Sequence, residues 1–492
     1  MNKPLPLYRP EQVRALDEFA IGGLGIAAYE LMCRAGAAAF RHLCLRWPDC
    51  RWIGIACGPG NNGGDGYVLA RLARAAGLKV TVLTPPGGHP RTPAARQALA
   101  DWRAAGGRVS AFDGLLPEAG LWVDALYGIG LTRPPSDVAR AIIERINASG
   151  RPVLALDVPS GVDADSGHVP GIAIRADLTV SFIAGKRGCH TGAGLNCVGE
   201  VLIEALDLPD SVHARVRPAA WLARPADLGR WLEPRQANTH KGEHGHVLCI
   251  GGEAGMGGAV RLCAEAALRT GVGLASVATR ESGVAALVAA RPEAMTHAVE
   301  DAAALAPLLA RADVLAVGPG LGQGAWGRSL LEAALASGKP AVLDADALNL
   351  IAARPRALPQ AILTPHPGEA GRLLGLDSQA VQADRFAAAE ALAERYECVV
   401  VLKGAGTVVA GPGETPTVIG AGNPGMATGG MGDLLAGVIA ALRAQHLPAY
   451  FAAVAGALLH AAAGDEAARI GGERGLLPSD LFPHLRRMAN PE

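Results

Sequence analysis

The sequence predicts an α/β protein with two domains in series. Its 492 residues exceed the usual size of a single hydrophobic core. Hydrophobic residues make up 50% of the chain and 64 residues are glycine, whereas only 4% are aromatic. Short apolar runs alternate with helical patterns in both halves, and Gly-rich turns separate them. This alternation is typical of βαβ units that form a mostly parallel sheet.

The first half begins with a helical segment at about residues 10–46 and then alternates strands and helices. Strands are expected in WIGIAC, LKVTVLT, LWVDALYGIG, PVLALDVPSG, ADLTVSFIAG and GEVLIEALDL. Helices are expected in ARQALADWRAAGG and VARAIIERINASG, and a further helix follows the Gly-rich loop GPGNNGGDG. The first half therefore predicts a parallel sheet with helices between its strands.

The alternation stops around residues 217–229, where prolines are frequent and no clear strand is present. It restarts with strand patterns in GHVLCIGG, LASVAT, ADVLAVGPGLG, PAVLDADAL, AILTPHPGE and CVVVLKGAGTVVAG. Helical patterns occur in AVRLCAEAALRTGVG, DLLAGVIAALRAQ and AAVAGALLHAAAGDEAA. We therefore expect one domain at residues 1–217 and a second at residues 228–492.

Charge and cysteine content argue against several classes of protein. The formal net charge is −1, which gives no reason to expect nucleic acid or a membrane as a partner. The nine cysteines are odd in number and contain no C-x-x-C pair, so neither a disulfide framework nor a thiolate zinc site is indicated.

No signal-peptide core or membrane-length apolar run is present, so we expect a cytoplasmic protein. Alanine-rich helices with few charges favour a homo-oligomer.

Oxygen-bearing side chains follow several strands of the first half, at the edge where open α/β sheets bind ligands. They are Asn61, Asn62, Asp65, Asp124, Asp157 and Ser160, with Lys186 after a later strand. Gly58, Gly60 and Gly63 have the spacing of a dinucleotide-binding loop, but no acidic residue that could hold a ribose hydroxyl follows LKVTVLT. The set instead suits a hard cation beside a phosphorylated ligand. The alternative interpretation is that Asn, Asp and Gly form ordinary turns.

Three segments of the first half, GPGNNGGDGYVLARLA, VDALYGIGLTRP and LALDVPSGVDADSG, resemble the signature segments of the NAD(P)H-hydrate epimerase family. The resemblance implies a Rossmann-like three-layer domain in which Asn62, Asp124 and Ser160 bind K⁺. It also implies that the hydrated nicotinamide nucleotide contacts Asn61, Asn62, Gly63, Gly64, Asp65, Gly128, Ile129, Gly130, Leu131, Thr132, Arg133, Pro134 and Asp157.

Asp157 is the predicted acid/base of this first site. Inversion of the hydroxyl-bearing ring carbon needs ring opening or loss of hydroxide, and one positioned carboxyl group can assist either route. The alternative is that Asp157 only caps the turn formed by the following PSG. Lys186 is a weaker candidate, because a solvated lysine after a strand needs no functional explanation.

The segment NPGMATGGMGDLLAGVIAAL, residues 423–442, is the strongest feature of the second half. A glycine-dense turn leads directly into a long apolar helix, with Asp433 at the helix start. Free backbone N–H groups and the positive helix end suit phosphate, and the carboxylate can accept a hydroxyl proton. This combination indicates phosphoryl transfer. The alternative is an ordinary N-capping aspartate.

This segment resembles the G-x-G-D anion hole of the ribokinase-like superfamily. HKGEHGHVLCIGG, AVGPGLG, VLDADALN, LTPHPGE and VLKGAGT are similar, in this order, to the ADP-dependent NAD(P)H-hydrate dehydratase branch of that superfamily. The resemblance implies ADP as co-substrate and Mg²⁺ beside its phosphates. The implied nucleotide-binding residues are Lys403, Gly404, Ala405, Gly406, Thr407 and Gly432, and the implied hydrate-binding residues are Ala259, Gly322, His366 and Asp433. For His366, a plain turn histidine is the alternative.

Taken together, the two resemblances imply repair of hydrated NADH and NADPH. The first domain would interconvert the R and S hydrates, and the second would use ADP to dehydrate the S epimer and release AMP and phosphate. Asp433 would take the hydroxyl proton, and phosphorylation would make the hydroxyl a good leaving group. The alternative is a ribokinase-like small-molecule kinase fused to a non-catalytic ligand-binding domain, which would yield a stable phosphorylated product.

Overall fold

The computed structural model describes residues 4–131 and 133–490. Residues 6–220 form one compact unit, and the residues from Trp221 onward form another. The predicted boundary segment contains a strand that sequence reasoning missed, Ala220–Ala223, which pairs in parallel with Thr417–Ile419. A four-residue strand flanked by prolines has too short a pattern to be recognised. Among the described residues, no helix combines the length and the apolarity needed to span a membrane.

The first unit contains a doubly wound parallel sheet. In chain order, the strands of this unit are β1 (Leu5–Tyr8), β2 (Trp52–Cys57), β3 (Lys79–Thr84), β4 (Val109–Ala111), β5 (Leu121–Ala125), β6 (Val153–Leu156), β7 (Leu178–Phe182), β8 (Gly185–Lys186) and β9 (Glu200–Glu204). β1 and β8 pair with each other in parallel and are not part of the doubly wound sheet. The sheet order is β4-β3-β2-β5-β6-β7-β9, with every neighbouring pair parallel. The strand order therefore reverses between β2 and β5, where doubly wound sheets bind ligands.

Helices cover both faces of this sheet. They are α1 (Pro10–Gly22), α2 (Ala28–Arg46), α3 (Asn61–Ala75), α4 (Pro93–Ala104), α5 (Asp137–Ala148), α6 (Leu195–Val198) and α7 (Asp210–His213). Residues of the four helices α1, α2, α3 and α4 pack in one apolar core against one face of the sheet. On the other face, α5 packs in a smaller core against Trp122 and Val153. The three-layer α/β prediction is confirmed. The single helix expected at residues 10–46 is two helices, because residues 23–27 interrupt it.

The sheet of the second unit repeats the strand order of the first sheet and adds further strands to it. Its strands are β10 (Ala220–Ala223), β11 (His246–Ile250), β12 (Leu274–Thr279), β13 (Met295–Ala298), β14 (Val314–Val317), β15 (Ala341–Leu343), β16 (Ala361–Leu363), β17 (Val399–Leu402), β18 (Val408–Ala410) and β19 (Thr417–Ile419). They lie in the order β13-β12-β11-β14-β15-β16-β17-β18-β19-β10. Pairing is parallel from β13 to β17 and antiparallel from β17 to β19. The order here reverses between β11 and β14.

Long apolar helices form the core of the second unit. Its helices are α8 (Gly257–Arg269), α9 (Glu281–Ala290), α10 (Ala302–Arg311), α11 (Ala325–Ala336), α12 (Asp346–Ala353), α13 (Pro367–Leu374), α14 (Ser378–Ala383), α15 (Arg385–Tyr396), α16 (Met431–Ala444), α17 (Ala449–Gly471) and α18 (Phe482–Met488). Buried residues of α8, α16 and α17 pack together and against the sheet. The helix predicted after the glycine-dense turn is α16, and its start faces the carboxyl ends of the strands.

Candidate active sites

The loop after β2 is shorter than the sequence predicted. Only residues 58–60 connect β2 to α3, and the NNGGDG run forms the first turns of that helix. A Cβ atom at Gly63 would lie 2.0 Å from the Gly58 carbonyl oxygen, so glycine is needed there for close packing. The first turn of a helix, with its free N–H groups, therefore replaces an extended phosphate-binding loop.

Asp124 and Ser160 lie in direct contact at the ends of β5 and β6. The Ser160 hydroxyl donates to Asp124 Oδ1 at 2.7 Å, and the Ser160 N–H donates to Asp124 Oδ2 at 2.7 Å. Both side chains are buried, with exposed fractions of 0% for Asp124 and 1% for Ser160. Burial raises the pKa of Asp124 to about 6, although hydrogen bonds from Ser160 and Leu126 oppose the shift. A cation beside this carboxylate would offset its desolvation.

Asn62 is buried with no hydrogen-bond partner for either amide atom among the described residues. A Cβ atom at Gly128 would lie 3.5 Å from the Asn62 amide carbon and 2.7 Å from Asp157 Oδ2. Asn62 and Asp157 are therefore neighbours across Gly128. Buried amides without partners are rare in folded proteins, so the Asn62 side chain indicates that a ligand or ion completes this site.

Three of the predicted residues hold the segment that follows β5. Leu126 N–H donates to Asp124 at 3.2 Å, Tyr127 N–H donates to the Ser160 hydroxyl oxygen at 2.9 Å, and Ile129 N–H donates to Asp157 at 3.3 Å. The same segment therefore connects the Asp124–Ser160 pair to Asp157. Side chains from two strand ends position the loop beside the reversal point of the sheet.

Asp157 forms an ion pair with Lys186, which is 0% exposed. The interpretation of Lys186 as a solvated lysine is wrong, because its ammonium group is buried between Asp157 and the Phe182 carbonyl, 2.7 Å away. The turn-cap interpretation of Asp157 also fails, since its described partners are Lys186, Ile129 N–H and Phe182 N–H. Asp157 has a φ of 68°, a left-handed conformation that costs free energy and is common at functional sites.

Two further carboxyl groups lie in the electrostatic field of this ion pair. Burial raises the pKa of Asp65 well above its usual value, and the charges of Asp157 and Asp17 raise it further. Burial also raises the pKa of Asp17, with smaller contributions from Glu18 and Asp157. Sequence reasoning missed Asp17, because it lies in α1, outside every motif. Several carboxyl groups around one buried cation do not all ionise together near neutral pH.

Of the remaining described residues predicted for the first cleft, Gly64 is buried and the others are partly or fully exposed. Asn61 accepts a hydrogen bond from the Thr92 hydroxyl at 2.6 Å, and a Cβ atom at Gly64 would lie 2.5 Å from Met32 Sδ. Gly130, Leu131, Arg133 and Pro134 lie in the partly exposed segment between β5 and α5. Thr132 lies outside the described residues. The roles of these residues in substrate binding stay predictions.

In the second unit, Asp433 lies inside the first turn of α16. The N-cap of this helix is Gly430, with a φ of 94°, so the N-cap interpretation of Asp433 is wrong. Burial raises the pKa of Asp433 to about 6, and the negative charge of Asp344 raises it while Lys403 lowers it. A carboxyl group that titrates near neutral pH is suited to accept a proton from a hydroxyl group.

Lys403, whose charge acts on Asp433, lies close to two carboxylates that sequence reasoning missed. Its ammonium group lies 2.6 Å from Asp344 Oδ1 and 3.9 Å from Glu369 Oε2. Burial lowers the pKa of Lys403, but the charges of Asp344 and Glu369 outweigh burial and raise it overall. Asp344 follows β15 within VLDADALN, and Glu369 lies after β16 within LTPHPGE. Their position after parallel strands was the available signal.

Gly432 lies directly beside this cluster. A Cβ atom there would lie 3.0 Å from Lys403 Nζ and 3.4 Å from Asp344 Oδ2. The structure therefore brings together Lys403 and Gly432, which the sequence predicted as nucleotide-binding, and Asp433. The Thr364 hydroxyl donates to the same carboxylate oxygen, Asp344 Oδ1, at 2.8 Å and helps to fix it. Lys403 is thus a positive centre at the start of α16, where anionic groups are favoured.

A buried arginine supports the turn after β17. Arg385 donates to the Leu402 carbonyl at 3.0 Å and to the Lys403 carbonyl at 3.2 Å, and burial lowers its pKa to about 10. Gly404 begins the turn with a φ of 137°, and the Thr407 hydroxyl donates to its carbonyl at 3.0 Å. The predicted nucleotide-binding residues Ala405 and Gly406 lie between them. Arg385 therefore holds the backbone of this turn from behind.

The residues predicted to bind the hydrate come from three segments. Ala259 lies in the first turn of α8, and Gly322 N–H donates to Asp346 Oδ2 at 2.9 Å. His366 is the N-cap of α13, where its Nδ1 accepts the Gly368 N–H at 3.0 Å. The turn interpretation of His366 therefore describes Nδ1, whereas Nε2 lies 3.6 Å from Glu369 Oε1. Burial, Lys403 and Arg372 lower the pKa of His366, which favours neutral imidazole.

Comparisons with known proteins match both halves of the chain. A family model described as YjeF-related protein N-terminus matches residues 28–188, and one described as NAD(P)H-hydrate dehydratase matches residues 247–487. The bifunctional NAD(P)H-hydrate repair enzyme of Coxiella burnetii is 49% identical over 486 residues, 99% of both chains. Its counterpart from Escherichia coli is 44% identical, covering 99% of this chain and 95% of its own. A ribokinase-like superfamily protein from Enterococcus faecalis is 30% identical, with a TM-score of 0.52 over 56% of this chain and 96% of its own.

Proposed function

Because the chain belongs to the family of bifunctional NAD(P)H-hydrate repair enzymes, we propose a division of the repair reaction between the two clefts. The chain is an NAD(P)H-hydrate epimerase and a nucleotide-dependent NAD(P)H-hydrate dehydratase. In our proposal, the cleft around Asp157 interconverts the R and S hydrates. The cleft around Asp433 dehydrates the S epimer with ADP and releases AMP and phosphate. Epimerisation then makes both hydrates repairable.

The dehydration begins with proton transfer to Asp433. As the hydroxyl proton of the hydrate moves to the carboxylate, the hydroxyl oxygen bonds to the β-phosphorus of ADP, and the bond from that phosphorus to the AMP oxygen breaks. Phosphate then leaves from the ring carbon with the bonding electron pair, and water takes a proton from the neighbouring ring carbon, which restores the double bond of the dihydronicotinamide. Phosphorylation replaces hydroxide, a poor leaving group, with phosphate. Lys403 and the N–H groups at the start of α16 stabilise the phosphate charge.

One observation carries this assignment: Asp433, with its raised pKa, lies in the first turn of α16, in the electrostatic field of the Lys403–Asp344 ion pair. This places a proton acceptor and a fixed positive charge at a single helix start. Mg²⁺ is expected with the nucleotide, because phosphate oxygens are among the ligands that this ion prefers.

The epimerisation uses the Asp157–Lys186 pair. We infer that Asp157 takes a proton from the hydroxyl group of the hydrate or gives one to it. This proton transfer assists ring opening or loss of hydroxide. Lys186 holds the Asp157 carboxylate in a fixed position and balances its charge. Because the left-handed backbone of Asp157 directs the carboxylate to Ile129 N–H, the group lies beside the predicted substrate-binding segment.

Residues of the first cleft fit K⁺. The buried Asn62 amide oxygen has no partner among the described residues, and Asp124 and Ser160 add a carboxylate and a hydroxyl oxygen. Such neutral and anionic oxygens are the ligands that hard cations take. We propose that Asn62, Asp124 and Ser160 hold K⁺, which would supply positive charge beside the phosphorylated substrate when bound.

The proposed function predicts a specific pattern of repair. With a mixture of both epimers of chemically hydrated NADH, the chain should restore all of the NADH absorbance with ADP, Mg²⁺ and K⁺, and release one phosphate per NADH. Without ADP, no absorbance should return. With choline in place of K⁺, only the S fraction should recover quickly. A stable phosphorylated product without restored absorbance would instead favour the kinase alternative, which the full-length match to repair enzymes disfavours.

The raised pKa of Asp433 predicts how dehydration depends on pH. Asp433 must be ionised to accept the proton, so kcat should fall about tenfold per pH unit below about 6. An aspartate with its usual pKa would remain ionised at pH 5. Since the negative charge of Asp346 contributes to the shift, Asp346→Asn should move this limb to lower pH. If the fall of kcat at low pH occurs at the same pH in Asp346→Asn, it would come from protonation of the ADP phosphate. That result would contradict the assignment of this fall to Asp433.

A further inference from the structure

The loop before α16 is held at its beginning by one carboxylate. Gly422 N–H donates to Asp465 Oδ2 at 2.8 Å, and the Asn423 side-chain amide donates to Asp465 Oδ1 at 2.9 Å. Asn423 Oδ1 in turn accepts the Gly425 N–H at 3.0 Å. Asp465 lies on α17, 42 residues from Asn423 in sequence. Both oxygens of a single aspartate thus bind the start of the glycine-dense loop.

The same helix also contacts the rest of this loop. A Cβ atom at Gly464 would lie 2.4 Å from Met426 Sδ, so the Met426 side chain lies against the α17 surface that the glycine leaves open. His460, about one turn earlier on α17, lies beside the backbone of Met431, the first residue of α16. α17 therefore contacts the loop at its beginning, at its middle and at the point where it becomes the helix that carries Asp433.

The contacts from α17 restrict the backbone conformation of a loop that would otherwise be flexible. The loop contains four glycines from Gly422 to Gly430, and glycine has the largest backbone freedom of any residue. An anion-binding loop works only if its N–H groups point to the phosphate before binding, because ordering the loop on binding would weaken affinity. Charge-assisted hydrogen bonds from two loop residues to a carboxylate on a packed helix supply that order.

We propose that Asp465 is a positioning residue that holds the glycine-dense loop in its nucleotide-binding conformation. The inference rests on the proposed function, which assigns this loop to nucleotide phosphate. Asp465 acts through Gly422 and Asn423 and needs no contact with either substrate. Its loss should therefore weaken ADP binding more than it affects the hydrate or the epimerase.

Asp465→Asn tests this role in the full chain. Asparagine keeps the shape of aspartate but replaces one acceptor with an NH₂ group, which meets a donor on Gly422 or Asn423. We expect the Kd for ADP to rise about tenfold, because one charge-assisted hydrogen bond is lost. The KM for the hydrate and the epimerase rate should each change less than about twofold. Glu466→Gln is the matched control, since Glu466 is the next residue on α17 but pairs with Arg469 and Arg487.

The exchange Asn423→Asp with Asp465→Asn sharpens the test. In this double variant, the oxygen of the new amide on α17 accepts from Gly422, and its NH₂ group donates to the new carboxylate in the loop. That carboxylate also accepts from Gly425, so all three hydrogen bonds persist. We expect the exchange to recover most of the ADP affinity, and it carries the test if the single variant does not fold. Equal ADP affinity in Asp465→Asn and the parent, equal weakening in Glu466→Gln, or no recovery in the exchange would overturn the proposal.

Failure of this inference can be told apart from failure of the proposed function. If Asp433→Asn still dehydrates the hydrate at the parental rate, the function assigned to this cleft is wrong, whatever Asp465 does. If Asp433→Asn is inactive while Asp465→Asn binds ADP like the parent, only the role of Asp465 is wrong.

Discussion

Asp433→Asn is expected to reduce the dehydration rate about 10²- to 10⁴-fold, the usual contribution of a positioned general base. Asparagine fills the same space but cannot take the hydroxyl proton, so kcat should fall while the fold persists. Asp433 lies inside the first turn of α16 and is not its N-cap, so the substitution leaves the capping of the helix intact. Recovery of NADH absorbance from the S hydrate with saturating ADP measures the effect.

The binding of ADP supplies the internal control for this variant. Removing a negative charge beside the phosphate site should leave the Kd for ADP unchanged or lower it, because Asp433 and the phosphates repel each other. The epimerase rate should remain parental. Asp377→Asn, at an exposed helix N-cap of the same unit, is the matched control and should dehydrate normally. A parental rate in Asp433→Asn would remove the general base from the mechanism.

Asp157→Asn is expected to reduce epimerisation by a similar factor, about 10²- to 10⁴-fold, and to destabilise the first unit. Lys186 is 0% exposed and would lose its paired carboxylate, and breaking a buried ion pair costs about 3–5 kcal/mol. Two effects thus follow from one substitution: loss of the acid/base and an unpaired buried cation. The measurements are the exchange rate between R and S hydrates and the thermal unfolding of the first unit.

A double variant separates these two effects. In Asp157→Asn with Lys186→Met, no unpaired charge remains in the buried position, so thermal stability should return toward the parental value. Epimerisation should stay lost, because the carboxyl group is still absent. Dehydration of the pure S epimer should be parental in both variants. If the double variant regains epimerase activity along with stability, Asp157 serves the fold and another group is the acid/base.

The catalytic centres illustrate where sequence reasoning stops. The segments around Asp157 and Asp433 were identified from strand-end position and glycine density, both of which are local. Asp344, Glu369 and Asp17 were missed, and Lys186 was misjudged. Each of these depends on which strand ends lie side by side and on how deeply the side chain is buried. Lys403 and Asp344, for example, are 59 residues apart in sequence.

The glycines of NNGGDG illustrate a second difference. From sequence, they indicated an extended phosphate-binding loop after β2. In the structure they lie in the first turns of α3, which begins at Asn61, and the helix start packs against the backbone of Gly58. Helix boundaries are set by such packing as much as by the residues of the boundary itself.

The sequence by itself determined the two α/β domains, the order of their strands and helices, and the segments that carry the chemistry, because periodicity and turn composition are properties of neighbouring residues. Only the tertiary structure decided which charges pair, which carboxyl groups have a raised pKa, and which helix holds the glycine-dense loop. Those outcomes arise from burial and from contacts between residues far apart in the chain. The free energy of an ion pair or a desolvated carboxyl group depends on that environment and not on residue type alone.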